Sequence, residues 1–181
     1  MKLLAITICS NYADYLDCLI ENRRHFDRWI VLTVPLDVAT HALCDRHGIE
    51  CYDSALLQPD GKDFHAVSNK GTVINEGIER LLENERDEAG WCAVLDADVL
   101  LPRHFGERVR AMPLEAGVLY GTSGRKVCET RAQFEMLREC EPWDRLVARN
   151  SQALGYFNLF CLSGDAASLS STHNAELVGA R

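Results

Sequence analysis

The chain has 181 residues, with 27 Asp and Glu against 19 Lys and Arg, a formal net charge of −8 with histidine neutral. Hydrophobic residues at 47% and charged residues at 25% are ordinary globular proportions, which argue against disordered and fibrous classes and suit one domain with a real core. The acidic balance argues against broad electrostatic binding to nucleic acid or an anionic membrane, and no apolar run approaches the roughly 20 residues of a spanning helix.

Leu3 to Cys9 is a short apolar, β-branched run. Ser10-Asn11-Tyr12-Ala13-Asp14 follows with no small-x-small cleavage pattern, so a buried first strand is expected rather than a secretory leader. Leu16, Leu19 and Ile20 then fall at helical spacing within Asp14 to Phe26. Trp29 to Val34 reads as a second strand stopped by Pro35. Asp37 is placed to cap a helix reaching His47, which Gly48 ends, and Ile49 to Tyr52 reads as a third strand.

Asp53 to Ser68 is polar, with Pro59 and Asp60-Gly61, and reads as a long loop of the kind that carries function. A helix is expected from Asn69, where Val73/Ile74, Gly77/Ile78 and Leu81/Leu82 recur every four residues. Trp91 to Leu95 reads as a buried strand, and Pro102 as the first turn of a helix carrying Phe105, Val109 and Met112. Gly117 to Tyr120 and Tyr156 to Leu162 are further strand candidates. Thr130 and Gln133 have capping-box spacing ahead of Phe134 and Leu137, and the small, polar tail after Ser163 has no pattern.

Eight cysteines (Cys9, Cys18, Cys44, Cys51, Cys92, Cys128, Cys140 and Cys161) include no CxxC pair and lie mostly in apolar segments. Free thiols, no structural zinc and a reducing, cytoplasmic setting are expected. Apolar strands alternating with amphipathic helices predict an α/β fold, a mostly parallel sheet with helices on both faces, whose ligands gather at the carboxyl ends of the strands.

At that edge the sharpest feature is Ala93-Val94-Leu95-Asp96-Ala97-Asp98-Val99-Leu100-Leu101-Pro102. Carboxylates at i and i+2 of an extended backbone project to one side, so Asp96 and Asp98 are expected to share a hard cation and, through it, phosphate oxygens. The plainer reading is that they cap the next helix. Asn69-Lys70-Gly71 opens a helix whose N-terminal amides favour an anion, and Lys70 adds a point charge. The plainer reading there is a helix cap and a solvated lysine.

These pieces resemble the nucleotide-diphospho-sugar transferases, glycosyltransferases of the GT-A fold, most closely their family-2-like members. The residues concerned are Leu95-Asp96-Ala97-Asp98 as the DxD motif, Ser68-Asn69-Lys70-Gly71 through Asn75-Glu76-Gly77, and Ile6-Thr7-Ile8-Cys9-Ser10-Asn11, with Gly155-Tyr156-Phe157-Asn158-Leu159-Phe160 later in the chain. The resemblance implies a GT-A, Rossmann-like architecture in a single domain, with residues 3–105 as the nucleotide-sugar half and 106–181 as an incomplete acceptor half. It implies transfer of a sugar, hexosyltransferase-fashion, from a UDP- or GDP-sugar to an unidentified acceptor.

It further implies that Asp96 and Asp98 hold Mn²⁺ or Mg²⁺ on the diphosphate, with Asp98 the better direct ligand and Asp96 also facing the donor. Ser10 and Asn11 would line the nucleoside pocket, Asp37 more weakly, since Pro35-Leu36 departs from the acidic strand ending common in these enzymes. Lys70 and Asn75 would face the nucleotide-sugar. Ser123-Gly124-Arg125-Lys126 is a basic turn that could touch phosphate or acceptor. No base motif stands out among Asp165, His173 and Glu176, while His65 and His104 read as loop or helix-surface residues.

Other readings compete with sugar transfer. One is a catalytically incomplete GT-A-like domain that needs a partner chain. A nucleotidyltransferase is disfavoured because the loop after the first strand lacks glycine and a cation, and a Rossmann dehydrogenase is excluded because no GxGxxG follows that strand.

Overall fold

The computed structural model describes residues 1–57, 59–60, 63–67, 69–85, 90–122, 127–139, 157–162 and 174–177. Strand β1 (Lys2–Ile8) is buried along almost its whole length because it lies between two parallel neighbours, β2 (Arg28–Thr33) and β6 (Gly90–Leu95). Leu4 pairs with Arg28 on one side and Cys92 on the other, and Ile6 with Ile30 and Val94. A strand covered on both faces has no polar face to show, which is why its sequence is a continuous apolar run rather than an alternation.

Strand β3 (Glu50–Asp53) adds to β2 in parallel, β8 (Phe157–Leu162) runs antiparallel to β6 and β7 (Leu119–Thr122), and β9 (Asn174–Leu177) closes the row beside β7. The seven-stranded order is β3-β2-β1-β6-β8-β7-β9. The chain builds outward from β1 through β2 to β3, then returns to the opposite side of β1 with β6. This is the α/β, mostly parallel architecture that the resemblance implies, and its strand order reverses between β1 and β6, where such sheets open a ligand crevice.

Successive side chains of β1 feed two cores. Leu3 and Ala5 join Leu16, Phe26, Trp29, Leu43, Trp91, Phe105, Val109 and Phe157 under α1 (Ala13–Cys18), α2 (Val38–His47) and α4 (Phe105–Ala111). Leu4, Ile6 and Ile8 join Ile30, Leu32, Val73, Leu81, Cys92, Val94 and Phe160 under α3 (Lys70–Glu85). Each fully buried Leu, Ile or Phe stabilises the fold by about 1.5–3 kcal/mol, so both sheet faces are held by burial. The thiols of Cys9, Cys18, Cys44, Cys51, Cys92, Cys128 and Cys161 are free, and burial pushes that of Cys9 up to about 11.

The helix expected over Asp14 to Phe26 is two pieces, α1 and a 3-10 helix, Ile20–His25. Three residues per turn bring Leu19, Asn22 and His25 onto one line, and all three are buried. Asp37 does cap α2, accepting from the Thr40 amide, and Gly48 closes it in the left-handed region at φ 62°. Within the segment read as a loop, Pro59–Asp60 (β4) pairs antiparallel with Asp63–Val67 (β5) as a small separate hairpin. Pro102 stands ahead of α4, its carbonyl accepting from the Phe105 amide, so it starts a turn rather than the helix.

Gly117, at φ 86°, turns the chain into β7 instead of opening it. Helix α5 (Arg131–Glu139) starts as expected from Thr130, whose hydroxyl accepts from the Gln133 amide; Gln133 reaches back to the Glu129 amide. At the far edge, Arg28 grips Glu50 through two hydrogen bonds of 2.6 and 2.7 Å and reaches the α3 carbonyls of Arg80 and Leu81. That pair locks the edge strand β3 to α3.

Helix α3 lies close on the sheet at Gly77, where an added Cβ would stand 2.9 Å from Leu32 Cδ1 and 3.0 Å from Ile6 Cγ2. Gly77→Val is expected to destabilise the protein by about 1–3 kcal/mol, measured by urea unfolding, because α3 must lift from β1 and β2 to admit the branched side chain.

Candidate functional site

The carboxyl edge of the sheet is organised by one buried carboxylate. Asp37, 4% exposed, follows β2 and begins α2. Its Oδ2 accepts from the Asn11 amide at 2.9 Å, the Thr33 hydroxyl at 2.8 Å and the Thr40 hydroxyl at 2.7 Å, and its Oδ1 accepts from the Thr40 amide at 3.1 Å. Burial alone would raise its pKa, but the Thr40, Thr33 and Asn11 donors outweigh burial and hold the carboxyl below the usual carboxylate range. Three of its four bonds fall on Oδ2, so Asp37 ties the loops after β1 and β2 to the start of α2.

Asn11, at φ 53°, and Leu36, at φ 74°, are the non-glycine residues in the left-handed region among those described, and both adjoin Asp37. Asn tolerates that conformation; Leu does not, and Leu36 is also 91% exposed. Backbone strain held in place by a neighbouring network is characteristic of functional edges. Ser10, directly before Asn11, is buried at this same edge. The end of β3 is fixed here too, where Ser54 donates its hydroxyl to Glu76 of α3 and its amide to the Thr33 carbonyl.

Helix α3 runs back from this edge to the start of β6, which places its N-terminus at the carboxyl ends of the strands. The Asn69 carbonyl accepts from the Thr72 and Val73 amides, leaving Lys70 as the first helical residue in a turn that holds no acid. A cation there opposes the helix dipole, a choice that costs about 0.3–1 kcal/mol unless something answers it. Asp96, the residue after β6, answers it: Lys70 Nζ donates to Asp96 Oδ1 in an ion pair between groups 39% and 23% exposed.

Asp96 and Asp98 do not sit on extended backbone. The Val99 amide donates to the Asp96 carbonyl at 3.3 Å, so residues 96–99 form a turn and the same-side argument for the two carboxylates does not apply. The two have different neighbours. Asp96 meets Lys70, whereas Asp98 lies within electrostatic reach of Tyr12, in the loop after β1. Burial first, then Tyr15 and the Asp98 carboxylate, push the Tyr12 phenol up to about 12. Tyr12 and Tyr15 stack in parallel at 4.2 Å.

Asn22 is the residue that sequence reasoning missed. Fully buried in the 3-10 helix, it donates Nδ2 to the Val99 carbonyl at 2.7 Å and accepts from the Leu101 amide at 2.9 Å, pinning the strand-like segment that follows the acidic turn. Its partners lie 77 and 79 residues away, so no local pattern could signal them.

Asn75 and His104 stand apart from this group. Asn75 is exposed on α3 five residues after Lys70, about 140° around the helix axis and away from its buried stripe of Val73, Gly77 and Leu81. His104 precedes α4 and contacts Glu107 at the surface. His65 lies in β5 and Glu176 in β9. Ser123 to Lys126, Asp165 and His173 lie outside the described residues. Among the described residues no three His, Cys, Asp or Glu side chains gather into a metal-binding group. Asp96 is paired to an ammonium, and Asp98 lies within electrostatic reach of Tyr12.

No protein-family model and no curated protein matches the chain. Among solved structures it is similar to mannosyl-3-phosphoglycerate synthase from Rubrobacter xylanophilus, at 18% identity and a TM-score of 0.47, over 70% of this chain and 41% of that one. It is also similar to 4-diphosphocytidyl-2C-methyl-D-erythritol synthase, at 12% identity and a TM-score of 0.49, over 88% of this chain and 74% of that one. The chain therefore spans less than half of the first of these, and at such values neither likeness bears on chemistry. No described helix is long and apolar enough to cross a membrane.

Two measurements test the framework of the site. Asn22→Ala strands the Val99 carbonyl and the Leu101 amide in a buried setting, and is expected to lower unfolding free energy by about 1–3 kcal/mol in denaturant titration. The depressed Asp37 carboxyl contributes stability that is present above the ordinary carboxylate pKa and is lost as pH falls through its lower folded value. Asp37→Asn is accordingly expected to lower the melting temperature at neutral pH and to flatten its decline on the acid side, read from melting curves between pH 2 and 7.

Proposed function

We propose that this protein is a transferase that takes a sugar from a nucleotide-diphosphate donor, and that the donor's diphosphate binds where Lys70 stands. The observation that carries the reading is the lysine at the start of α3, facing the carboxyl ends of β1 and β6. A helix first turn ordinarily favours acids. Here it holds a cation and no acid, at the point where the strand order reverses. Such local violations of helix chemistry are expected at functional sites, and here the balancing acid, Asp96, comes from another element.

In sugar transfer from such a donor, the bond between the anomeric carbon and the β-phosphate oxygen breaks and its electrons pass to the diphosphate. A cation and first-turn amides already aimed at those oxygens stabilise the charge as it builds, without reorganising at the moment of reaction. The loops after β1 and β2, held together through Asp37, are the natural wall for the nucleoside, with Ser10 and Asn11 nearest the crevice. Hexosyl transfer and a UDP or GDP base are the donor details that the sequence resemblance adds.

A thermal-shift panel of UDP- and GDP-sugars, run both with Mn²⁺ and with excess chelator, tests the reading directly. At least one donor is expected to raise the melting temperature by a few degrees at concentrations well above its Kd. Calorimetry with that donor is expected to show affinity falling about tenfold or more in Lys70→Ala. No stabilisation by any nucleotide-sugar under either condition would overturn it.

A further inference from the structure

Asp96 already has a cation beside it. That cation is the ammonium of Lys70. The contact bridges two elements, the first residue of α3 and the residue that ends β6, and it lies at the strand-order reversal. The acidic turn is also held in its present form. The Val99 amide closes it onto the Asp96 carbonyl, and Asn22 grips Val99 and Leu101 from beneath.

For an anionic ligand, Lys70 and Asp96 then have opposite signs. The ammonium and the α3 first turn attract phosphate oxygens. The carboxylate beside them repels the same oxygens and competes for the ammonium's donor hydrogens. A carboxylate that served as a metal ligand would do the reverse, since its removal would lose the ion and the phosphate together.

We propose that the Lys70–Asp96 pair is a counter-ion latch: Asp96 holds the Lys70 ammonium until a diphosphate draws it away, so that Asp96 weakens diphosphate binding instead of supporting it through a metal. The inference rests on the reading of Lys70 as the phosphate-binding group, and it assigns the opposite role to the acidic residue expected to favour the donor. Nucleoside and sugar play no part in it.

The test uses inorganic pyrophosphate, titrated by calorimetry into the full chain in excess chelator, with circular dichroism and melting curves confirming that each variant is folded. Asp96→Asn is expected to bind pyrophosphate about five- to tenfold more tightly than wild type. Asp96→Ala is expected to change in the same direction, and Lys70→Gln to bind about tenfold or more weakly. Unchanged or weaker binding in both Asp96 variants overturns the latch. So does pyrophosphate binding that requires Mn²⁺, or none at all in wild type and Asp96→Asn. If the pyrophosphate ranking holds while no nucleotide-sugar binds, the latch stands and the sugar-transfer reading falls.

Discussion

The buried carboxylate of Asp37 is the constraint on which the carboxyl edge depends. Four donors from three separate elements converge on two oxygen atoms: the Asn11 amide after β1, the Thr33 hydroxyl at the end of β2, and the Thr40 amide and hydroxyl in α2. Hydrogen bonding to the ionised form keeps the group charged where burial alone would neutralise it. Removing one donor leaves the rest with an under-solvated charge, so the arrangement is cooperative rather than a sum of pairs. It also sustains the positive φ of Asn11 and Leu36, conformations that neither loop would hold alone.

The other half of the edge is built on different physics. Lys70 and Asp96 are partly open to solvent and face each other across the space between α3 and β6. Their contact is electrostatic and exchangeable, in contrast to the closed network around Asp37. Asn22 supplies the rigid backing, since its two buried hydrogen bonds hold the chain just beyond Asp98. The two parts of the edge therefore differ in rigidity, a closed network on one side and an exchangeable charge pair on the other.

Much of the scaffold was legible because its causes are local. The run Leu3 to Cys9, the Asp37 cap and Gly48 stop of α2, and the four-residue recurrence from Val73 to Leu82 each declare their element within a few residues. The split of the first helix did not. Leu16, Leu19 and Ile20 fit helical spacing, whereas the 3-10 turn over Ile20–His25 buries Asn22 against partners far along the chain. The β4–β5 hairpin hides in a polar segment whose alternation is too short to register, and Pro102 suits a turn as well as a helix start.

By itself the sequence determined the α/β class, the order of the core elements, and the residue types at the strand ends: Asn11, Asp37, Lys70, Asp96 and Asp98. Residue type and spacing are enough for that, because hydrophobic period and capping chemistry act over one or two turns. Only the tertiary structure decided what those side chains face. The chain turns at residues 96–99 instead of continuing extended, the return of β6 to the far side of β1 brings Asp96 against Lys70, and Asp37 is held by its own scaffold. Charge pairing falls off with distance in space and is indifferent to distance along the chain, so partners 26 residues apart were set by the fold alone.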